Sequence, residues 1–400
     1  MQQLNNEQLV QAAQQFGTPL YVYHSEKITE QYQKLKAAFY KPNTKIFFAC
    51  KALTNISILN HIKNIGCNID CSSINEVKLA IHAGFSPKNI LYTSNGIAFN
   101  EIEEAKNLGV KITIDSLSNL QKFGAKFGNS FPLSLRIRPN IMGGGNLQIS
   151  TGHDESKFGI PVTQLNQILQ TVQQHNINVE GLHIHTGSDI EDIEVFIKGI
   201  EVLFEILHHF PNLKFIDLGS GFKVKYKEGD KSTDIGLLAQ KIYEDFDNHP
   251  AAKDLEIWFE PGKFLVSECG YFITKVNVIK HNDEATFIGI NSGFNHLIRP
   301  MFYGSHHTIK NISNPLGEEK EYAVVGNLCE TDTFAWQRKI KETKEGDYLC
   351  FYNAGAYGFE MSSNFNSRFK PAEVLFKNNE PYLIRKRDEF EDLLRNQILL

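Results

Sequence analysis

Eight runs rich in apolar, β-branched and aromatic residues recur before residue 265. They fall at 45–51, 68–73, 89–94, 111–116, 133–139, 179–188, 214–221 and 256–262. Amphipathic stretches with helical spacing separate most of them, at 74–83, 101–108, 163–175, 190–209 and 235–246. Eight β-α units in succession suit a closed parallel (β/α)8 barrel better than an open doubly wound sheet. An open sheet of this length would carry a Gly-rich dinucleotide turn after its first strand, and here that turn carries Lys51 instead.

From Cys269 onward helical periodicity fades. Runs at 271–278, 285–290, 321–325, 347–352, 372–376 and 382–385 read as strands, and 388–400 as a closing amphipathic helix. A second, β-rich domain follows, one into which the early strand at Leu20–Tyr23 can pair. The expected division is a barrel over 25–265 and a β-rich domain from 1–24 and 266–400. At 400 residues the chain exceeds what one core usually supports, which agrees with two domains.

A net charge of -5 gives no basis for nucleic acid or an anionic membrane as partner. No apolar segment is long enough to span a bilayer and the N-terminal residues lack signal-peptide character, so the cytoplasm is the expected setting. Six cysteines show no paired CxxC spacing, and five of them read as buried free thiols.

In a barrel of this type, chemistry collects at the C-terminal ends of the strands. The residues due there are Lys51, Asp70, Ser94, Asn95, Asp115, Arg136, Arg138, His183, His185, the turn Gly219-Ser220-Gly221, and Glu260-Pro261-Gly262-Lys263. Taken alone, Lys51 reads as a strand-end lysine reaching solvent. Among such neighbours it reads as an amine available to attack a carbonyl. The glycine turn is either a plain tight turn or an N–H cradle for phosphate. His183 and His185 alternate along one strand, which fits a metal pair or a ring stacked on a flat group. A metal pair needs a second ligand cluster that the sequence lacks, and His183 fits a satisfied core histidine. Glu260 closes an apolar strand, and a protonated ring nitrogen would be a suitable partner for it. A lysine able to form an imine, a phosphate cradle, a stacking histidine and that carboxylate together describe pyridoxal 5'-phosphate on a barrel, with no metal.

These residues sit in recognisable motifs: Phe48-Ala49-Cys50-Lys51-Ala52, Ser156-Lys157-Phe158-Gly159, His183-Ile184-His185-Thr186-Gly187-Ser188, Asp217-Leu218-Gly219-Ser220-Gly221, Glu260-Pro261-Gly262, Arg299-Pro300-Met301-Phe302-Tyr303, Cys329-Glu330-Thr331-Asp332 and Asn353-Ala354-Gly355-Ala356-Tyr357-Gly358. The chain resembles the diaminopimelate decarboxylases, among the fold-type III, alanine-racemase-like barrel enzymes. The resemblance implies decarboxylation of meso-2,6-diaminopimelate to L-lysine and CO2, the last step of lysine biosynthesis. Lys51 would then carry the cofactor covalently with Asp70 nearby, and His185 would stack on its face. Ser188, Gly219, Ser220, Gly221, Gly262, Lys263 and Tyr357 would contact it, and Glu260 would pair with its ring nitrogen. Cys329 would be the proton donor.

By the same resemblance Cys329 and Glu330 act in the partner subunit's site, which implies a homodimer with shared active sites. Lys263, Arg299, Tyr303, Glu330 and Tyr357 would bind a small diamino-diacid substrate. Arg299 and Tyr303 suit its distal carboxylate, whereas an Arg299 in a surface ion pair would leave the substrate open. Two departures stand out: Lys263 occupies a place usually held by arginine, and Ser220 interrupts a loop that is commonly three glycines. The glycine run in 143–151 suggests a movable loop. Ornithine, arginine or carboxynorspermidine decarboxylation, a non-catalytic relative and a metal-dependent barrel hydrolase are the competing readings.

Overall fold

The computed structural model describes residues 3–141, 152–153 and 155–400. The 143–151 loop singled out above lies outside them. The chain divides into two compact units. One comprises Tyr32–Val224 and Lys231–Phe264, the other Met1–Gln31, Lys225–Asp230 and Leu265–Leu400.

The strands in chain order begin with β1 (Leu20–His24), which belongs to the second unit. The first unit follows with β2 (Thr44–Ala49), β3 (Asn68–Cys71), β4 (Ile90–Thr93), β5 (Lys111–Ile114), β6 (Leu133–Arg138), β7 (Ile160–Pro161), β8 (Val179–His183), β9 (Phe215–Asp217) and β10 (Glu256–Phe259). All but β7 form a closed ring of parallel pairs, β2-β3-β4-β5-β6-β8-β9-β10, with β10 returning to β2. The expected eight-stranded barrel is present, and β7 adds only a short parallel pairing to β6. The strands are nearly wholly buried because helices cover their outer faces while side chains fill the inside. Phe47, Leu91, Phe215 and Trp258 make one such filling, with the Phe215 and Trp258 rings stacked 3.5 Å apart. Gly181 is required beside them, since a Cβ there would overlap the Phe215 ring.

The covering helices start where the sequence provides caps. The Ser73 hydroxyl accepts from Glu76 N–H, and Glu76 accepts in turn from Ser72 N–H. Asp234 and Ser116 cap the helices Ile235–Asn248 and Leu117–Phe127, each such cap being worth about 1 kcal/mol. The stretch expected as helix at 190–209 is helical over Glu194–Ile206.

The second unit holds a nine-stranded sheet of mixed sense. Its strands are β1, β11 (Gly270–His281), β12 (Thr286–Ile290), β13 (Ile309–Asn311), β14 (Glu319–Val325), β15 (Thr333–Lys341), β16 (Tyr348–Tyr352), β17 (Ala372–Lys377) and β18 (Glu380–Arg385). β1 lies between β11 and β17, antiparallel to the first and parallel to the second, and every residue in it is buried. The helix Asn6–Phe16 lays Leu9, Ala12 and Ala13 on the core that Leu20, Val22, Ile273 and Val374 share. The closing helix expected over 388–400 is corrected to the short Phe390–Leu394, with Ile398, Leu399 and Leu400 exposed. The acidic and basic residues of that stretch pair locally, as Arg385 with Asp388 and Arg395 with Asp392. Among the described residues no helix is long and apolar enough to cross a membrane.

Candidate active site

The strand ends of the barrel unit hold a dense set of charged groups. Lys51 lies in the tight turn Cys50–Ala52 that ends β2, with its Nζ 3.4 Å from Asp70 Oδ2 on β3. The Lys51 side chain is 44% exposed while that of Asp70 is wholly buried, so the amine is open to an incoming group and its partner is not. Gly262 presses on this turn, where an added Cβ would lie 3.2 Å from Ala52 Cβ.

Glu260 follows β10 and is buried. Its Oε1 accepts from the Thr93 hydroxyl at 3.0 Å, and its Oε2 is 3.3 Å from His183 Nε2. Burial alone would favour the neutral acid. The His183 ring and the Lys51 ammonium outweigh it and hold the Glu260 carboxyl well below the usual carboxylate range. Asp70 moves the other way, pushed up to about 8 by burial and by Glu260, against the pull of Lys51. Asp217, fully buried at the end of β9, is raised by burial and by Glu260. Arg136 brings a buried positive charge, its guanidinium 4.7 Å over the Phe158 ring.

The turn after β9 is tied down by its own backbone, the Gly219 N–H donating to Asp217 Oδ1 at 2.9 Å. Gly219 has φ 60° and Gly221 φ 113°, both in the region that favours glycine. A Cβ on Gly219 would meet His185 Nδ1 and the Ile184 carbonyl oxygen at 2.7 Å. The Ser220 N–H donates to His185 Nδ1 at 3.3 Å, so ring and loop are fixed together. Burial and the charges of Arg136 and Lys51 hold the half-buried His185 imidazole well below its ordinary value, which leaves it neutral. Ser188 stands half-buried in the same loop. Its neighbour Asp189 accepts from Lys263 Nζ at 2.6 Å, so Lys263 already has a counter-charge.

The strand ends therefore bring together Lys51, Asp70, His185, Ser188, the 219–221 loop, Glu260, Gly262 and Lys263. Four further residues belong with them: Thr93, His183, Asp189 and Asp217. His183 is corrected from a satisfied core histidine to a buried ring facing Glu260, with no aligned hydrogen bond among the described residues. Its signal was the paired spacing with His185, and that of Asp217 was its place just before the glycine turn. His183, Asp217 and Glu260 offer ligand atoms within 4.8 Å of one another, a cation-sized arrangement in which Glu260 is also the hydrogen-bond acceptor of Thr93.

The β-rich unit holds a second cluster. Arg299 is buried, its guanidinium 5.6 Å over the Tyr226 ring and 5.9 Å over those of Tyr303 and Tyr357. Its Nη2 reaches the Tyr226 and Ser305 hydroxyls at 3.4 Å, and its Nε has no partner among the described residues. Arg299 is thus no surface ion pair. Tyr357 holds φ 56°, a conformation that costs a bulky residue about 1–3 kcal/mol and that clusters at functional sites. Cys329 and Glu330 are exposed, with the Cys329 N–H donating to Asn366 Oδ1 at 2.8 Å. The other five cysteines are buried and free.

The barrel set fits pyridoxal phosphate. A glycine cradle that side chains would fill suits its phosphate, an open lysine its aldehyde, and a buried ionised carboxylate its ring nitrogen. Fold and strand ends together define a barrel enzyme built around that cofactor. The family model described as pyridoxal-dependent decarboxylase, pyridoxal binding domain, matches residues 25–267. The diaminopimelate decarboxylase of Methanothermobacter thermautotrophicus is 37% identical, over 97% of this chain and 93% of its own. That of Neisseria meningitidis serogroup B is 32% identical, over 96% and 94%. The crystal structure of the Helicobacter pylori enzyme, complexed with L-lysine, superposes with a TM-score of 0.88 at 32% identity, over 98% of each chain. The chain belongs to the pyridoxal-dependent decarboxylases, in their diaminopimelate decarboxylase family.

Proposed function

We propose that the protein decarboxylates meso-2,6-diaminopimelate at one end, releasing CO2 and leaving L-lysine. The observation that carries the substrate choice is Arg299, a buried guanidinium among aromatic rings with hydroxyl partners and an Nε that has no partner among the described residues. Such a group calls for a carboxylate, and a fork of N–H donors grips one in two places. An amine-ended substrate would meet repulsion there.

Pyridoxal phosphate, when bound, supplies the aldehyde that captures the substrate amine and a protonated ring that accepts the electrons left by CO2. Lys51 is the residue that would hold that aldehyde, and its ammonium donates to the adjacent Asp70. Glu260 keeps the proton on the ring nitrogen, since its carboxyl is the ionised member of the buried acids. The loop Gly219-Ser220-Gly221, with Ser188 and Tyr357, would hold the phosphate, and the neutral His185 ring would stack on the cofactor. Lys263, neutralised by Asp189, braces the loop beside Ser188 and adds little net charge to the site. Arg299 and Tyr303 orient the distal carboxylate and Glu330 the distal ammonium. Cys329 delivers a proton to the carbon that loses CO2.

Cys329 and Glu330 serve the partner's site in a homodimer, a reading supported by their exposure in the single chain. The β-rich domain expected from 1–24 and 266–400 carries Arg299, Tyr303, Cys329, Glu330 and Tyr357, the groups assigned here to substrate and interface. Free thiols suit a reducing cytoplasm.

The test mixes purified protein and pyridoxal phosphate with meso-diaminopimelate and, separately, with ornithine, arginine and carboxynorspermidine, while CO2 is followed. Release from diaminopimelate alone, with lysine as product, is the expected result. Release from a diamine precursor instead would overturn the role given to Arg299.

A further inference from the structure

Asp217 has no part in the scheme above, yet it touches two of its components. Its Oδ1 accepts from the N–H of Gly219 at 2.9 Å, the first residue of the glycine turn. Its Oδ2 is buried and lacks an aligned partner among the described residues. A carboxylate oxygen of Asp217 lies within 4.8 Å of ligand atoms of Glu260 and His183, and hydrogen bonding to Glu260 is among the causes that raise the Asp217 carboxyl. Two carboxyl groups this close and this deeply buried do not both ionise at tolerable cost.

The surroundings decide which one keeps the charge. Glu260 has the Thr93 hydroxyl on one oxygen and the His183 ring against the other. Asp217 has one backbone N–H and, among the described residues, no aligned donor for its second oxygen. The other charged groups facing the pair are Asp70, Lys51 and Arg136. With Asp217 ionised as well as Glu260, two buried negative charges would lie close together, each raising the cost of the other. The raised proton affinity of Asp217 and the lowered one of Glu260 agree with this division.

We propose that Asp217 is a positioning residue that works as a neutral acid, holding the phosphate loop through Oδ1 and donating from Oδ2 to Glu260. The phosphate cradle and the carboxylate for the ring nitrogen are thereby set by one side chain. The inference rests on the pyridoxal-phosphate reading of Glu260. No covalent step is involved; one proton stays on Asp217 throughout.

An asparagine makes the same two contacts without a charge, with its oxygen toward Gly219 N–H and its amide N–H toward Glu260. Apoprotein is prepared for the native chain, Asp217→Asn, Asp217→Ala and Glu260→Gln. Pyridoxal phosphate affinity, the visible absorption band between about pH 6 and pH 9 and the infrared carboxyl region are then measured. In Asp217→Asn, affinity should stay within about threefold of native and the visible band should be unmoved. In Asp217→Ala, affinity should fall by about 10- to 100-fold, as when a supporting contact is lost. The protonated-carboxyl infrared absorption of the native apoprotein at neutral pH should lose the contribution of one group in Asp217→Asn, with that of Asp70 remaining. Loss in Asp217→Asn equal to that in Asp217→Ala would mean that an ionised Asp217 is needed, and would overturn the proposal. So would native behaviour in both. If Asp217→Ala does not fold, Asp217→Asn decides: a weakened affinity or an undiminished infrared absorption overturns it. A visible band unaltered in Glu260→Gln would strike at the reading of Glu260 itself, and the proposal would fall with it.

Discussion

Two buried cationic sites in this chain are built on opposite plans. At the barrel strand ends, Lys51 and Arg136 sit among Asp70, Asp115, Asp217 and the ionised Glu260, so the protein supplies acidic partners of its own. In the β-rich unit Arg299 has three aromatic rings and two hydroxyls, and no carboxylate among its described hydrogen-bond partners. A site that balances itself can wait for a cofactor that stays. A site left with an excess of charge favours a ligand that brings the missing carboxylate, and so selects among substrates.

Lys51→Ala should give the largest effect, a loss of CO2 release of about 10³-fold or more, because no other described amine takes its place. Activity near native in that variant would remove the barrel cluster's claim to the chemistry. Arg299→Met should come next, with kcat/KM for diaminopimelate down about 100-fold and cofactor affinity unchanged. Arg299→Lys should recover only part of this, since an ammonium lacks the fork. If cofactor affinity fell equally in Arg299→Met, the division between a cofactor site and a selecting site would not hold.

Gly219→Ala tests the self-contained plan more gently. Its positive φ and the close approach to His185 and Ile184 should cost about 1–3 kcal/mol of stability, read by denaturant titration, and weaken pyridoxal phosphate binding. The smallest effect concerns pH. Asp70 binds its proton more tightly in the fold, its carboxyl moving from the ordinary 3.8 to about 8. Between those values the native state keeps a proton that the unfolded chain has released. Asp70 therefore contributes stability that is complete below about pH 4 and lost as pH rises through about 8. Asp70→Asn cannot release a proton, so its apoprotein should show a shallower fall over that window. Parallel profiles for the two proteins would leave Asp70 without the proposed proton.

The barrel was legible because its signals are local: a strand-length apolar run, then a helical period, repeated eight times. The strand ends were legible for the same reason, once the barrel said where to look. What escaped were properties of the assembled interior. His183 read as a core histidine because its proximity to Glu260 joins residues on different strands, and Asp217 became notable only when its second oxygen was found without an aligned partner. The Asp189–Lys263 pair spans two loops and has no sequence signature. β15 was missed because it is an edge strand with mostly polar exposed positions between few buried ones. The overlong closing helix followed from periodicity alone, whereas Ile398, Leu399 and Leu400 find no core within the chain as described.

The place of β1 in its sheet has a consequence for how the chain matures. β1 is made first, yet its two neighbours are β11 and β17, the second of which ends at Lys377. A ribosome must therefore reach residue 377 before that sheet can close around it. The barrel's last strand, β10, ends at Phe259, so its ring is free to close earlier. Until then the aromatic edge of β1 stands open, a span in which chaperones, not packing, would keep it from pairing with strangers.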